Sequence, residues 1–282
     1  MFAFPIVASL AAPTGAEHDS AVQLMEDIMV YIITNGFYLI DVTGKPTTWG
    51  KWSPAYLNND RDWSDQRGIN ALQILSWIAA TRNVTRNATV IAILDGAYAE
   101  LTNATNQYNG NVLNTKIEAP CDDNYSDDEL TFLPYYTQLA FTTDASRNAP
   151  VLASQERTWQ VVRSLRSDLW NAIYLATTGG PGADASDVES IAWNLQTWPL
   201  ELVDWPTANS QRLDITIDTE ADRFGGNGND ALEVLPANER SQFRWNGNPH
   251  DLDGGNGKNE GDPGAWLLPY WMARYHGLIV QP

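Results

Sequence analysis

Carboxylates, amides and aromatic rings crowd into three stretches of this chain, each with the parts for a particular chemistry. In the first, Trp49 and Trp52 are followed by Asn58, Asn59, Asp60, Asp62 and Asp65, with Arg67 and Asn70 close behind. A glycan site needs aromatic faces for the sugar ring and polar groups that fix its hydroxyls. Hydrolysis also needs two carboxyl groups roughly 5–10 Å apart. A structural explanation stands beside this one: Ser64 as a helix N-cap, with Asp65 favoured by the helix dipole. The second stretch runs from Cys121 through Asp122, Asp123, Asn124, Tyr125, Ser126, Asp127 and Asp128 to Glu129, five carboxylates within eight residues. Ser126 and Glu129 have capping-box spacing. Such crowding raises at least one carboxyl pKa, giving a general acid, or it binds a cation.

The third stretch, Arg244 to Gly255, holds Trp245, His250, Asp251 and Asp253 among glycines, with Glu260 and Asp262 beyond. Oxygen ligands in a loop suggest Ca2+ at Asp251 and Asp253, but an EF-hand wants an acid or amide at position 255 and glycine at 256. The chain has Gly255 and Asn256, so that motif fails. The histidines, His18, His250 and His276, lack zinc spacing. A serine-hydrolase elbow, a phosphate loop and a dinucleotide fingerprint are all missing. No cofactor is required by any of these readings.

Helices must position these groups. Apolar residues at helical spacing predict helices over Glu17–Asn35, Gln66–Arg82, Val90–Tyr108, Asp127–Phe141, Val151–Ala176, Ser186–Trp198 and Ala265–Tyr275. Asn35-Gly36 supplies a stop. Tyr38–Asp41 reads as a short strand, and Thr43-Gly44-Lys45-Pro46 as the turn of a small hairpin. Phe2, Ile6 and Leu10 recur as on the buried stripe of a helix, so Met1–Ala12 is expected to be helical, as in a piece of a longer polypeptide. Short joints alternate with the long connections Phe37–Asp65, Asn109–Ser126 and Leu200–Gly264. The fold class expected is all-α: helical hairpins side by side in one domain, residues 1–282, forming part of an α/α toroid.

Charge narrows the partners. With 35 Asp and Glu against 17 Lys and Arg, the net charge of −18 repels nucleic acid, anionic lipid and acidic polysaccharides. Neutral glycans and divalent cations fit better. No stretch approaches the roughly 20 apolar residues of a membrane span. Four N-glycosylation sequons begin at Asn83, Asn87, Asn103 and Asn124, and the lone Cys121 forms no intrachain disulfide. A secreted or extracellular glycoprotein is the expectation.

The runs YLIDVTGKPTTWGKWSP (38–54), RGINALQIL (67–75), YSDDELTFLPYY (125–136), LPANERS (235–241), RWNGNP (244–249), LDGG (252–255) and WLLPYWMARYHGLI (266–279) carry a resemblance. Together they resemble an uncharacterised family related to the six-hairpin glycosidases, over about Ile32 to Ile279. The resemblance implies an (α/α)6 toroid whose first hairpins lie upstream of Met1, and relatives that are mostly glycoside hydrolases or polysaccharide lyases. A hydrolase would use Asp127 or Asp128 as one carboxyl partner and Asp62 or Asp65 as the other. Trp49, Trp52 and Trp245 would line the subsites, Arg67 and Arg244 would hold the carboxylates, and Asn70 and His250 would contact substrate. A lyase would use His250 with Tyr125. Two alternatives remain open: a non-catalytic glycan-binding protein, and a structural glycoprotein that self-assembles or associates with an upstream part of its own polypeptide.

Overall fold

Apolar periodicity becomes helix over most of its expected span. The computed structural model describes residues 1–10, 14–118, 124–180, 182–199, 201–203, 213–218, 230–240, 247–252 and 257–280. Among them the chain is all-α, with one small antiparallel sheet. The helices are α1 (Ala3–Leu10), α2 (Ala16–Thr34), α3 (Pro54–Leu57), α4 (Arg67–Val84), α5 (Ala88–Thr102), α6 (Tyr108–Leu113), α7 (Tyr125–Phe141), α8 (Ala145–Val162), α9 (Asp168–Thr178), α10 (Ala185–Thr197) and α11 (Gly264–Tyr275). Strands β1 (Tyr38–Ile40) and β2 (Pro46–Lys51) pair Tyr38 with Lys51 and Ile40 with Pro46. The chain divides into two compact units: unit 1 is Met1–Lys116 with Leu130–Gln155, and unit 2 is Ile117–Glu129 with Glu156–Pro282.

Two predicted helices are broken. The helix expected over Val90–Tyr108 stops at Thr102, because Asn103 Oδ1 accepts the N–H groups of Thr105 at 2.8 Å and Asn106 at 2.9 Å. That side-chain turn competes with the helix ladder. The helix expected over Val151–Ala176 ends as α8 at Val162, passes through a 3-10 turn at Arg163–Leu165, and restarts as α9. Arg166, at φ 54°, is left-handed, and Ser167 Oγ caps the new helix by accepting from Trp170 N at 3.3 Å.

In unit 1, α4 is buried almost all round, as a central helix must be. Ile69, Leu72, Ile74, Leu75 and Ile78 are buried along it, and it packs against α2, α5 and α6. Each such side chain contributes roughly 1.5–3 kcal/mol of burial. Helix α2 ends where Asn35-Gly36 predicts: Phe37 N donates to Ile32 O at 2.9 Å and Gly36 N to Ile33 O at 3.1 Å, with Gly36 at φ 70°. That is a Schellman stop, and it turns the chain into β1.

Unit 2 is organised by α9, whose Leu169, Trp170, Ala172, Ile173 and Tyr174 are buried and which packs against α10 and α11. Trp159 of α8 stacks on Tyr174 at 3.8 Å and donates its indole N–H to Asn171 at 2.9 Å. Arg163 pairs with Asp187 at 2.7 Å and Asp184 at 3.1 Å, tying the 3-10 turn to the capping box of α10. Described residues of the long connection before α11 add a small core of Ala231, Leu235 and Leu252.

Candidate functional site

Each unit holds one constellation of chemical interest. In unit 1 the β-hairpin presents Trp49 to solvent, 70% exposed. Its ring meets Trp63 edge-on at 5.2 Å, and Trp63 lies 5.2 Å from Tyr56. Lys51 Nζ sits 4.3 Å over the Tyr56 ring and donates to its hydroxyl at 2.9 Å. A cation over an aromatic face is attracted by the ring quadrupole. The result is a shelf of three rings and one ammonium. Gly50 makes the hairpin possible, since a Cβ there would lie 2.6 Å from Leu39 Cβ on the paired strand. Trp63 is held by a 3-10 turn, Arg61–Trp63, closed by Asp60 Oδ1 accepting Asp62 N–H at 2.9 Å.

Three residues expected to touch substrate support this shelf from below. Trp52 is only 6% exposed, donates its indole N–H to Gln73 at 3.0 Å, and packs edge-on to Trp77 at 5.1 Å. Asn70 donates to Lys51 O at 3.2 Å. Arg67 donates through Nε to Leu57 O at 2.6 Å. Asp62 and Asp65 are exposed, and Asp65 pairs with Lys116 at 3.0 Å. The expected Ser64 cap is corrected: Ser64 follows the 3-10 turn, and α4 begins at Arg67 behind Gln66 without a side-chain cap.

Unit 2 buries its charges. Asp168, the first residue of α9, is 1% exposed. Its Oδ1 accepts from Leu169 N at 2.9 Å, and its Oδ2 has no hydrogen-bond partner. Arg240 is 8% exposed; its Nε donates to Leu235 O at 2.9 Å, while its Nη2 is unpartnered. Asn194 Oδ1 on α10 is buried and unpartnered too. These groups line a cleft of about 10 Å³ with Tyr125, Trp170 and Trp198. Burial pushes the Asp168 carboxyl up to about 6, while the positive Arg240, the Leu169 N–H and the neighbouring Asn194 side chain oppose the shift. Burial likewise pushes the Arg240 guanidinium down to about 10, with Asp168 opposing.

Beside the cleft, Tyr125 Oη donates to Asn248 Oδ1 at 3.1 Å, which also accepts His250 N–H at 2.9 Å. Asn248 Nδ2 donates to Asp230 at 2.8 Å. The side chain of His250 contacts Ala231 O through Nδ1 at 2.9 Å, and burial lowers its pKa. Tyr125 and His250, which the sequence leaves unconnected, thus share one amide.

Asp127 and Asp128 lie in the first turn of α7, with Asp128 buried. Because α7 starts at Tyr125, Ser126 is inside the helix, and the expected capping box with Glu129 does not form around it. Asp62 and Asp65 belong to unit 1, and Asp127 and Asp128 to unit 2, so neither unit alone holds both expected carboxyl partners. Asp251 N donates to Asn248 O at 3.4 Å. Among the described residues, no three His, Cys, Asp or Glu side chains gather as metal ligands. Cys121, Asp122, Asp123, Arg244, Trp245 and Asp253 lie outside the described residues. Asn83, Asn87 and Asn103 are exposed at the ends of α4 and α5, and Asn124 is half-buried. Among the described residues no helix is long and apolar enough to cross a membrane.

The sequence reading missed Asp168, Asn194 and Arg240. A signal was there for the first: Arg166-Ser167-Asp168 has the N-cap serine and first-turn acid of a helix start, inside what periodicity treats as one long helix. Comparison with family models, curated proteins and solved structures finds no match to this chain.

Proposed function

We propose that this chain is a carbohydrate-active protein that engages a neutral glycan, with glycoside hydrolysis through paired carboxylates as its chemistry. Trp49 is the observation that carries the proposal. A rigidly buttressed, solvent-facing indole offers a sugar a flat apolar surface for its C–H face. Lys51 on the same hairpin and Tyr56 on the short helix after it supply polar atoms beside the rings. The charge of −18 favours an uncharged glycan over an acidic one. In this reading the helical hairpins belong to an α/α toroid. The protein is a secreted glycoprotein modified at Asn83, Asn87, Asn103 and Asn124, and Ca2+ is an accessory ligand at most. Asp62, Asp65, Asp127 and Asp128 are the carboxyls to replace singly by Asn. The second reading is a non-catalytic glycan-binding or structural extracellular protein. It is favoured by Asp62 and Asp65 being solvent-exposed, since a general acid is usually tuned by exclusion of water.

The test is retention on a panel of immobilised neutral polysaccharides, run together with release of reducing ends from the same panel. Reducing ends released by the wild type and lost in one of the Asp→Asn variants establish the hydrolase. Retention that depends on Trp49 without release establishes the second reading. Retention unchanged in Trp49→Ala, or absent throughout, overturns the assignment of the shelf.

A further inference from the structure

The cleft in unit 2 has a chemistry of its own, separate from the exposed shelf. Three polar atoms on its wall are buried without hydrogen-bond partners: Asp168 Oδ2, Asn194 Oδ1 and Arg240 Nη2. A buried polar atom left unsatisfied costs about 1–3 kcal/mol, more if it is charged, so native proteins seldom leave three together. Two of these atoms accept hydrogen bonds and one donates. We propose that this cleft is a binding notch for a single neutral hydroxyl group, borne by a sugar or polyol, seated between Asp168 and Arg240.

The ligand class follows from the wall. A hydroxyl has one proton to donate and two lone pairs that accept, so its proton can be shared between Asp168 Oδ2 and Asn194 Oδ1 in a three-centre bond while it accepts from Arg240 Nη2. A bound anion would face the Asp168 carboxylate, and a bound cation the Arg240 guanidinium, each with both charges already out of water. The cleft volume of about 10 Å³ admits one water-sized group and excludes a sugar ring. The ring therefore stays outside, with the half-buried Tyr125 and Trp198 of the cleft lining as the nearest aromatic surface for its C–H groups. Position is fixed by helices: Ser167 caps α9 and sets Asp168 at its first residue, while Asn194 lies on α10, packed against it. Arg240 is anchored by its Nε on Leu235 O.

The notch is tested by following the indole N–H resonances of Trp170 and Trp198 while the whole chain is titrated with glycerol, glucose and mannose. Saturable shifts with at least one of these probes are expected, and acetate and phosphate should leave both resonances unmoved. Asp168→Asn and Asn194→Ala should each weaken the binding by about tenfold, the scale of one lost hydrogen bond to a buried group. Trp49→Ala should leave it unchanged, which separates this site from the shelf. If Asp168→Asn does not fold, Asn194→Ala carries the test. Absence of a saturable shift with all three probes means the notch holds resident water only, and overturns the proposal. Shifts with phosphate or acetate in place of the polyols overturn it in favour of an anion site at Arg240. Unchanged binding in every folded variant also overturns it.

Discussion

The shelf of unit 1 and the notch of unit 2 use the same residue types in opposite ways. On the shelf the outermost ring is solvated, Asp65 meets Lys116 at the surface, and the buried groups Trp52, Asn70 and Arg67 serve the scaffold. In the notch the carboxyl and guanidinium are themselves buried, and each holds the other's charge in place. The difference is one of dielectric. Unit charges 4 Å apart interact by about 1 kcal/mol in water and about 4 kcal/mol at the effective dielectric of a protein. Burial accordingly raises the Asp168 carboxyl to about 6, close to neutral pH. What sets the two apart in the chain is where each aspartate falls relative to a helix start. Asp65 lies in the loop two residues ahead of α4, and Asp168 is the first residue inside α9.

The sharpest break of this comparison is a pair of tryptophan truncations in unit 1. Trp52→Ala removes a buried ring packed on Trp77 and hydrogen-bonded to Gln73, and should cost about 3–5 kcal/mol in urea unfolding. Trp49→Ala, three residues away on the same hairpin, should change stability by no more than about 0.5 kcal/mol. Equal losses would mean that Trp49 is part of the packing and that the shelf is only the edge of the core.

Next in size is the pH dependence that Asp168 contributes. Its carboxyl is raised from 3.8 to about 6 in the folded protein. The folded state then holds the proton more tightly than the unfolded chain does, so this contribution is complete below the unfolded value and is lost as pH rises through about 6. Relative to Asp168→Asn, which cannot ionise, the wild type should gain roughly 2.5 kcal/mol between about pH 7 and about pH 4. Subtracting the two stability curves removes the other carboxylates, which titrate in both proteins. A flat difference would show that Asp168 is hydrated in solution and would remove the contrast with Asp65.

A smaller effect tests why the notch was hidden from sequence. Ser167→Ala deletes the cap that restarts the helix and should cost about 1 kcal/mol. Periodicity was a good guide where one apolar stripe meets one capped helix, as in α2 with its Asn35-Gly36 stop and in the Tyr38–Lys51 hairpin with its glycine turn. It failed where a stripe continues in phase across a break, because the residues on both sides of Arg163–Ser167 are buried in the same unit. The shelf was legible because aromatic rings beside Asn and Asp stand out in a loop. What could not be read was which ring faces out: Trp49 and Trp52 look alike in sequence, and the hairpin register decides between them. Asn194 and Arg240 were illegible for a different reason. They lie 26 and 72 residues beyond Asp168, and only tertiary packing brings them to one cleft.

The smallest stability effect is also the cleanest functional discriminator. Asp65→Asn breaks the ion pair with Lys116, whose two side chains are 64% and 41% exposed. An exposed pair of this kind contributes about 0–1 kcal/mol, because water screens it and two long side chains lose freedom in forming it. The melting temperature should therefore barely move. Turnover on a cleaved glycan then reports on chemistry alone. If Asp65 is one of the paired carboxylates, the variant folds like the wild type and is inactive. If activity survives, Asp65 belongs to the scaffold with Asn70 and Arg67, and the search for a catalytic carboxyl moves to the remaining aspartates.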